Sequence, residues 1–249
     1  PGIENPERAR NFLQASAALE FWDTYRNTDP SVANALSAAD QRLKSGDAAA
    51  ADTPIEYDTL YTPILDDDGN ETGEQNMQIV EKGGATANLG PLLSLLTLNN
   101  GAAGDLVGAN TVFGFADKNK RKAVIEMLER SDIKTLFPGD AKFMWGRKPF
   151  VNNLGENTKK YSLYIIKKQN ASSSKPVIEG DVITRASHGP NPVTGQVAVN
   201  LSMNNEGARK WGDMTTKAYN NGGREIAICI DNEVISAPGV NNGPILQGS

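Results

Sequence analysis

The sequence predicts an α+β fold, an antiparallel sheet with helices packed on it. Three observations carry that expectation. Apolar and polar residues alternate in short runs, most clearly "QVAVNLSM" at 196–203 and "EIAICI" at 225–230, which is the period of a half-buried strand. Between them, residues 205–219 space Ala208, Trp211, Met214 and Thr215 at helical intervals, so one face of an amphipathic helix points inward. Gly and Pro number 24 and 13 of 249 residues, and aromatic residues make up only 6%. A chain with this composition is rich in turns and has an aliphatic core.

The elements follow in order. Asn5, Pro6 and Glu7 supply an N-cap, a first-turn proline and a first-turn acid, and Ala9, Phe12 and Leu13 continue the period, giving a helix over 6–15. Residues 17–25 mix Leu19, Phe21, Trp22 and Tyr25 with polar residues and predict a strand. Residues 31–45 are rich in Ala and Leu and predict a helix stopped at Gly46, followed by a low-complexity linker over 46–54. Residues 61–82 predict two strands joined by an Asp68-Gly69 turn. A short helix is expected over 92–98, then a glycine-rich loop, then a helix over 117–130 with Val124, Ile125 and Leu128 on one face. Strands are expected at 140–146 and 159–168, with a serine-rich link at 171–176. The strand at 196–203 and the helix at 205–219 lead to strands at 225–230 and 233–239, joined by a two-residue turn at Asp231-Asn232. No internal repeat is visible.

Charge and composition exclude several classes. The net charge is -5, but residues 1–100 carry 6 Lys+Arg against 16 Asp+Glu, while residues 101–249 carry 19 against 14. The basic excess sits mostly between Lys118 and Lys175, interleaved with Phe143, Trp145, Phe150, Tyr161 and Tyr164. With no nucleic-acid fold signature, it is expected to be a solvated face rather than a stacking platform. The ten residues 89–98 form the longest apolar run and include Gly90 and Pro91, well short of the ~20 that a membrane helix needs. One cysteine excludes an internal disulfide and a cysteine metal cage, and one histidine excludes a multi-histidine metal site. The chain starts at Pro1 with no signal-peptide pattern in its first ten residues, from which it is expected to be an excised piece of a longer protein.

Local motifs offer little chemistry. Asp66-Asp67-Asp68-Gly69-Asn70-Glu71 places Glu71 and Met77 where a calcium loop needs Gly and Glu, so a hairpin tip is the expectation. Ser187-His188 lies in the Gly/Pro-rich "ASHGPNPVTG" and predicts a solvated loop histidine rather than a nucleophile and base. "GAAGDLVG" at 101–108 lacks dinucleotide spacing. Cys229 lies among apolar neighbours and predicts a buried hydrophobe. No catalytic, cofactor-binding or metal residues are assigned.

Two stretches carry a family resemblance. "PGIENPERARNFLQASAALEFWDTY" and "IEGDVITRAS…QVAVNLSMNNEGARKWGDMT…REIAICIDNEVISAPGV" resemble the first periplasmic region of the SecD/SecDF protein-export family. The shared landmarks are a short amphipathic helix before a strand with Leu-Glu-Phe, Glu179–Asp181, the strand at 196–203, Glu206-Gly207-Ala208, the strand at 225–230 and the Ala237-Pro238 turn. The resemblance implies residues 1–25 as a remnant of a base subdomain, 26–176 as a lineage-specific insertion, and 177–249 as the core of a mobile head. It places a rigid-body hinge near Tyr25–Pro30.

The family belongs with the proton-driven RND transporters, so the resemblance also implies a role. The chain would be an extracytoplasmic domain on the periplasmic face of the bacterial inner membrane. It would be soluble itself, within a multi-pass parent, and would hold emerging preprotein during export driven by the proton motive force. The implied partners are unfolded preprotein, the SecYEG channel and SecF, fused or separate, with no nucleic acid, small-molecule substrate, cofactor or enzymatic activity. The residues expected to touch polypeptide are Ile235, Val240, Ile245 and Leu246, because Pro238 and Pro244 interrupt sheet pairing and leave apolar surface uncovered. Two other readings stand beside this one. A closed apolar pocket would favour the periplasmic domain of another RND-type exporter. Close paired carboxylates in a pocket would favour a secreted glycan-binding or hydrolase module.

Overall fold

The computed structural model describes residues 19–47, 57–65, 71–81, 89–99, 109–152, 155–190 and 197–246. Its strands are β1 (Leu19–Thr24), β2 (Tyr57–Leu65), β3 (Glu71–Glu81), β4 (Thr97–Leu98), β5 (Val112–Asp117), β6 (Ala141–Val151), β7 (Asn157–Lys167), β8 (Ile178–Glu179), β9 (Ile183–Pro190), β10 (Val197–Met203), β11 (Ile226–Ile230) and β12 (Glu233–Ser236). Its helices are α1 (Pro30–Ala33), α2 (Ala35–Asp47), α3 (Arg121–Leu128), α4 (Ser131–Lys134) and α5 (Asn205–Asn220). The fold is α+β, as the sequence predicts.

Eight strands form one sheet in the order β4-β5-β7-β6-β12-β11-β1-β8, and β7 also pairs with β1. That extra pairing sets Asp23 beside Lys167 and Thr24 beside Ile166. It closes β1, β7, β6, β12 and β11 into a ring of five strands. An odd number of strands cannot alternate direction all the way round, and the one parallel pair in the ring is β12 with β6.

Strand periodicity then sorts side chains to the two faces. Trp22, Met144, Ile166, Ala227, Cys229 and Val234 point into the ring and fill it. Their neighbours point outward. Phe21 and Ile226 pack with Ile178, Met214 and Ala218 under α5. Phe143, Trp145, Leu163 and Ile165 pack with Val32, Leu36, Leu43, Val124, Leu128 and Ile133 of the other helices. The sheet is thus covered by helices on two outer faces, with a third small core inside the ring. Strands β9 with β10 and β2 with β3 form separate two-stranded ribbons.

Several expectations need correction. Residues 92–98 form a single turn closed by Leu96 N–H on the Leu92 carbonyl at 3.0 Å, and then the short strand β4. The helix expected over 117–130 is shorter: Asp117 ends β5, α3 spans Arg121–Leu128, and the chain breaks before α4. Strand β5 escaped the sequence reading because Gly114 interrupts its pattern. A Cβ at that glycine would stand 2.7 Å from the Thr97 carbonyl oxygen, so the close approach of β4 requires its absence. The helix expected over 31–45 breaks at Asn34 and runs through Gly46 to Asp47. Ser187 and His188 lie in strand β9, paired with Asn200 and Val199, and not in a loop. The pairing of β9 with β10 overrides the Gly/Pro-rich composition that suggested a turn.

Other expectations match. Asp231 and Asn232 have φ of 53° and 61°, as a type I′ hairpin turn demands. Cys229 is fully buried, and burial, aided by the Glu20 carboxylate, pushes its thiol up to about 12. The aromatic residues of the basic stretch serve packing: Phe143 and Trp145 are buried and Arg121 covers the ring of Tyr161. The expected helix over 6–15, the Asp66–Asn70 turn and the glycine-rich 101–108 loop lie outside the described residues.

The segment expected to be a hinge is clamped. The Tyr25 hydroxyl donates to Asp140 at 2.6 Å. Arg26 pairs with Glu225 at 2.8 Å. Arg224 grips both carboxylate oxygens of Asp29 at 2.6 and 2.9 Å. Burial works against the Asp29 charge, but the Arg224 hydrogen bonds and the Arg26 N–H outweigh it and hold the carboxyl below its ordinary range. A pivot at 25–30 would have to break these bonds.

Candidate functional site

Helix α5 organises the surface on which the expected contact residues converge. Its N-cap, Asn204, accepts the Gly207 N–H at 2.8 Å. Gly207 lies against the Gly180–Val182 turn, and a Cβ there would stand 2.6 Å from Val182 Cγ2. The central residue of the Glu206-Gly207-Ala208 landmark is therefore a close-packing glycine. Met214, Thr215 and Ala218 are buried, but Trp211 is only half-buried, with its ring 5.3 Å from Phe21 in an edge-on arrangement at 66°. Trp211 thus faces inward, as its spacing predicts, but one side of it stays uncovered. Its outer face has a different role.

That role follows from the path of the chain after β12. Pairing continues past Ala237, because Ile226 N–H bonds the Pro238 carbonyl at 3.0 Å and Glu225 bridges Gly239. Val240 is buried under α5. Residues 241–246 then turn back across the helix, and Ile245 N–H donates to Thr215 Oγ1 at 3.0 Å. Between this segment and α5 lies a groove of about 570 Å³, lined by Trp211, Ile226 and residues 238–246. Ile245 and Leu246 are 44% and 70% exposed on its rim.

The structure therefore brings together Val240, Ile245 and Leu246, with Val240 forming the floor. Ile235 is exposed on β12 but does not line the groove. Pro238 and Pro244 line it as well. Sequence reasoning missed Trp211, Gly212 and Thr215 as parts of this surface, since their helical spacing signals core. The signal available was Gly212 in mid-helix, a position where glycine weakens a helix unless something approaches closely.

On the other side of α5 is a charged cleft of about 390 Å³, lined by residues including Asp23, Asp140, Asp213, Lys167, Lys210 and Lys217. Its three carboxylates each have a partner: Asp23 takes Lys217, Asp140 takes the Tyr25 hydroxyl, and Asp213 takes Arg209 at 3.7 Å. The Lys167 ammonium sits 4.2 Å from the centre of the Tyr25 ring. Burial, reinforced by Arg224 and Lys217, lowers its proton affinity. Among the described residues, no group of three or more His, Cys, Asp or Glu is placed to hold a metal ion. No helix among them is long and apolar enough to cross a membrane.

Residues 157–249 match the SecDF P1 head subdomain family. The protein translocase subunit SecD of Rhodothermus marinus is 27% identical over 248 residues, covering 97% of this chain and 34% of that protein. SecD of Rickettsia conorii is 36% identical over 95 residues, covering 38% of this chain and 16% of that protein. The chain spans about a third of the length of the first of these relatives. A solved structure, described as a membrane component SecDF that enhances protein export, is similar at 17% identity and a TM-score of 0.28, covering 92% of this chain and 83% of that one.

Proposed function

From the match of residues 157–249 to the SecDF P1 head subdomain family, we propose that the chain is the extracytoplasmic head of a Sec translocase auxiliary subunit and holds emerging preprotein against back-sliding. In this reading it works on the outer face of the inner membrane, within a multi-pass parent beside the SecYEG channel and SecF. It is not an enzyme, and the energy for release comes from the parent's proton-driven cycle. Residues 26–156, ahead of the segment that matches the head family, are an enlargement built into the head, since β4 to β6 join the same sheet as β7, β11 and β12. The remnant of the base is confined to residues 1–18, since β1 is a strand of the head's own ring.

One observation carries the holding role. The apolar groove beside α5 is rimmed by Ile245 and Leu246, both exposed, and an open apolar surface of this kind suits an extended chain of variable sequence. A closed pocket for a small molecule would bury these side chains. The three carboxylates of the charged cleft each engage a separate partner, Lys217, Tyr25 and Arg209, which supports a structural role for them.

The isolated chain is expected to bind reduced, carboxymethylated α-lactalbumin with a dissociation constant of about 1 μM or weaker, which is a binding free energy no more negative than roughly -8 kcal/mol. It is expected to bind native α-lactalbumin more weakly still, because only the unfolded form offers free apolar side chains and strand edges. Fluorescence anisotropy measures both. Equal affinity for the two forms contradicts the proposal.

A further inference from the structure

A peptide backbone already lies across α5, and the helix holds it by its main chain. Residues 243–246 cross over Gly212, where a Cβ would stand 3.8 Å from both the Ile245 carbonyl oxygen and Leu246 Cα. One turn further on, Thr215 is fully buried. Its hydroxyl donates to the Trp211 carbonyl at 2.8 Å and accepts from Ile245 N–H at 3.0 Å. The helix therefore satisfies a backbone N–H, while the side chains of Ile245 and Leu246 stay largely in solvent. Nothing in that contact depends on which side chain follows Pro244.

Three features make the segment exchangeable. Among the described residues, the hydrogen bonds joining 243–246 to α5 all run through the single Thr215 hydroxyl. Gly243 has a φ of 108° with open space around it, so the segment enters without being packed in place. Trp211 is left half-covered, so a longer apolar segment would bury more of its indole than residues 243–246 do. A site that reads backbone through one hydroxyl, beside an incompletely covered tryptophan, matches a ligand that is extended, apolar and variable in sequence.

We propose that Gly212 and Thr215 form a main-chain-reading shelf for an extended apolar polypeptide segment, and that residues 243–246 occupy the shelf in exchange with it, lifting off the helix to flank the incoming segment with the Ile245 and Leu246 side chains. The inference rests on the holding role above and assigns the groove its recognition residues and its resting occupant.

Opposite signs from two substitutions test it, with labelled, carboxymethylated α-lactalbumin as the probe and the whole chain as the binder. Ile245→Pro deletes the occupant's N–H and leaves the shelf intact. It is expected to tighten binding about fivefold, the factor that one net backbone hydrogen bond carries. Thr215→Val keeps the side-chain shape but removes the hydroxyl; introduced on the Ile245→Pro background, where the occupant no longer uses that hydroxyl, it is expected to weaken binding by about the same factor. Thr215→Ser retains the hydroxyl and is expected to bind like the wild type, so the shelf remains testable if the valine variant unfolds. Urea unfolding of each variant checks the fold. Changes of the same sign for Ile245→Pro and Thr215→Val, or no change for Ile245→Pro, overturn the exchange while leaving the holding role standing. No binding by the wild type or any variant overturns the holding role and the shelf together.

Discussion

Replacing Trp22 with alanine is expected to destabilise the protein by about 3–5 kcal/mol in urea unfolding, the usual range for a fully buried tryptophan. Trp22 is completely inaccessible and is the largest side chain inside the five-stranded ring. Around it stand Met144, Ile166, Ala227, Cys229 and Val234, drawn from the other four ring strands. Its indole N–H donates to Glu20 at 2.9 Å, and the Lys142 ammonium lies 4.7 Å from the ring centre. Among the described residues, only strands contribute to this cluster, so the cavity left by alanine is walled by the paired backbone of the ring. Trp211→Ala is the matched control. Its side chain is only partly buried, and the expected loss is about 1–2 kcal/mol from partial burial alone. A Trp22→Ala loss below that of Trp211→Ala would mean that the ring is not a packed core.

Asp40→Ala is expected to cost about 2–4 kcal/mol, because it strands buried donors. The Asp40 carboxylate is only 5% exposed and makes no ion pair among the described residues. It accepts the N–H of Gly90 at 2.6 Å and of Leu93 at 2.9 Å, closing the turn that leads into β4. Gly90 fits so tightly that a Cβ would stand 2.6 Å from Asp40 Oδ1. Asp40→Asn keeps one carbonyl acceptor and should lose less. An Asp40→Ala loss below about 1 kcal/mol would show that water reaches these amides and replaces the carboxylate.

The parts of the fold that were legible in the sequence are those set by local chemistry. The α5 helix, the β11–β12 hairpin and its Asp231-Asn232 turn follow from periodicity, an asparagine cap and turn residues that tolerate positive φ. What stayed hidden depends on distant contacts. Closure of the ring needs β1 to meet β7, which are more than 130 residues apart in the chain. Strand β9 depends on β10 to outweigh its own glycine and proline. Gly114 breaks the β5 pattern for the sake of a neighbouring strand.

The site divides in the same way. Val240, Ile245 and Leu246 were visible as an apolar run punctuated by prolines. Trp211, Gly212 and Thr215 were not, because a helix that receives a crossing segment has the same spacing as one that packs on a core. Ile235 shows the converse limit. It shares the composition of the tail but sits on a strand that faces elsewhere.

The central claim is that the groove beside α5 touches polypeptide in transit, and site-specific photocrosslinking from position 245 tests it most directly. The reporter replaces Ile245 in the full-length membrane protein, and a secretory chain is stalled during export. The account predicts adducts between position 245 and the stalled chain, diminished when the chain is allowed to finish translocation. Adducts only to other parts of the same protein, unchanged by the presence of the stalled chain, would contradict it.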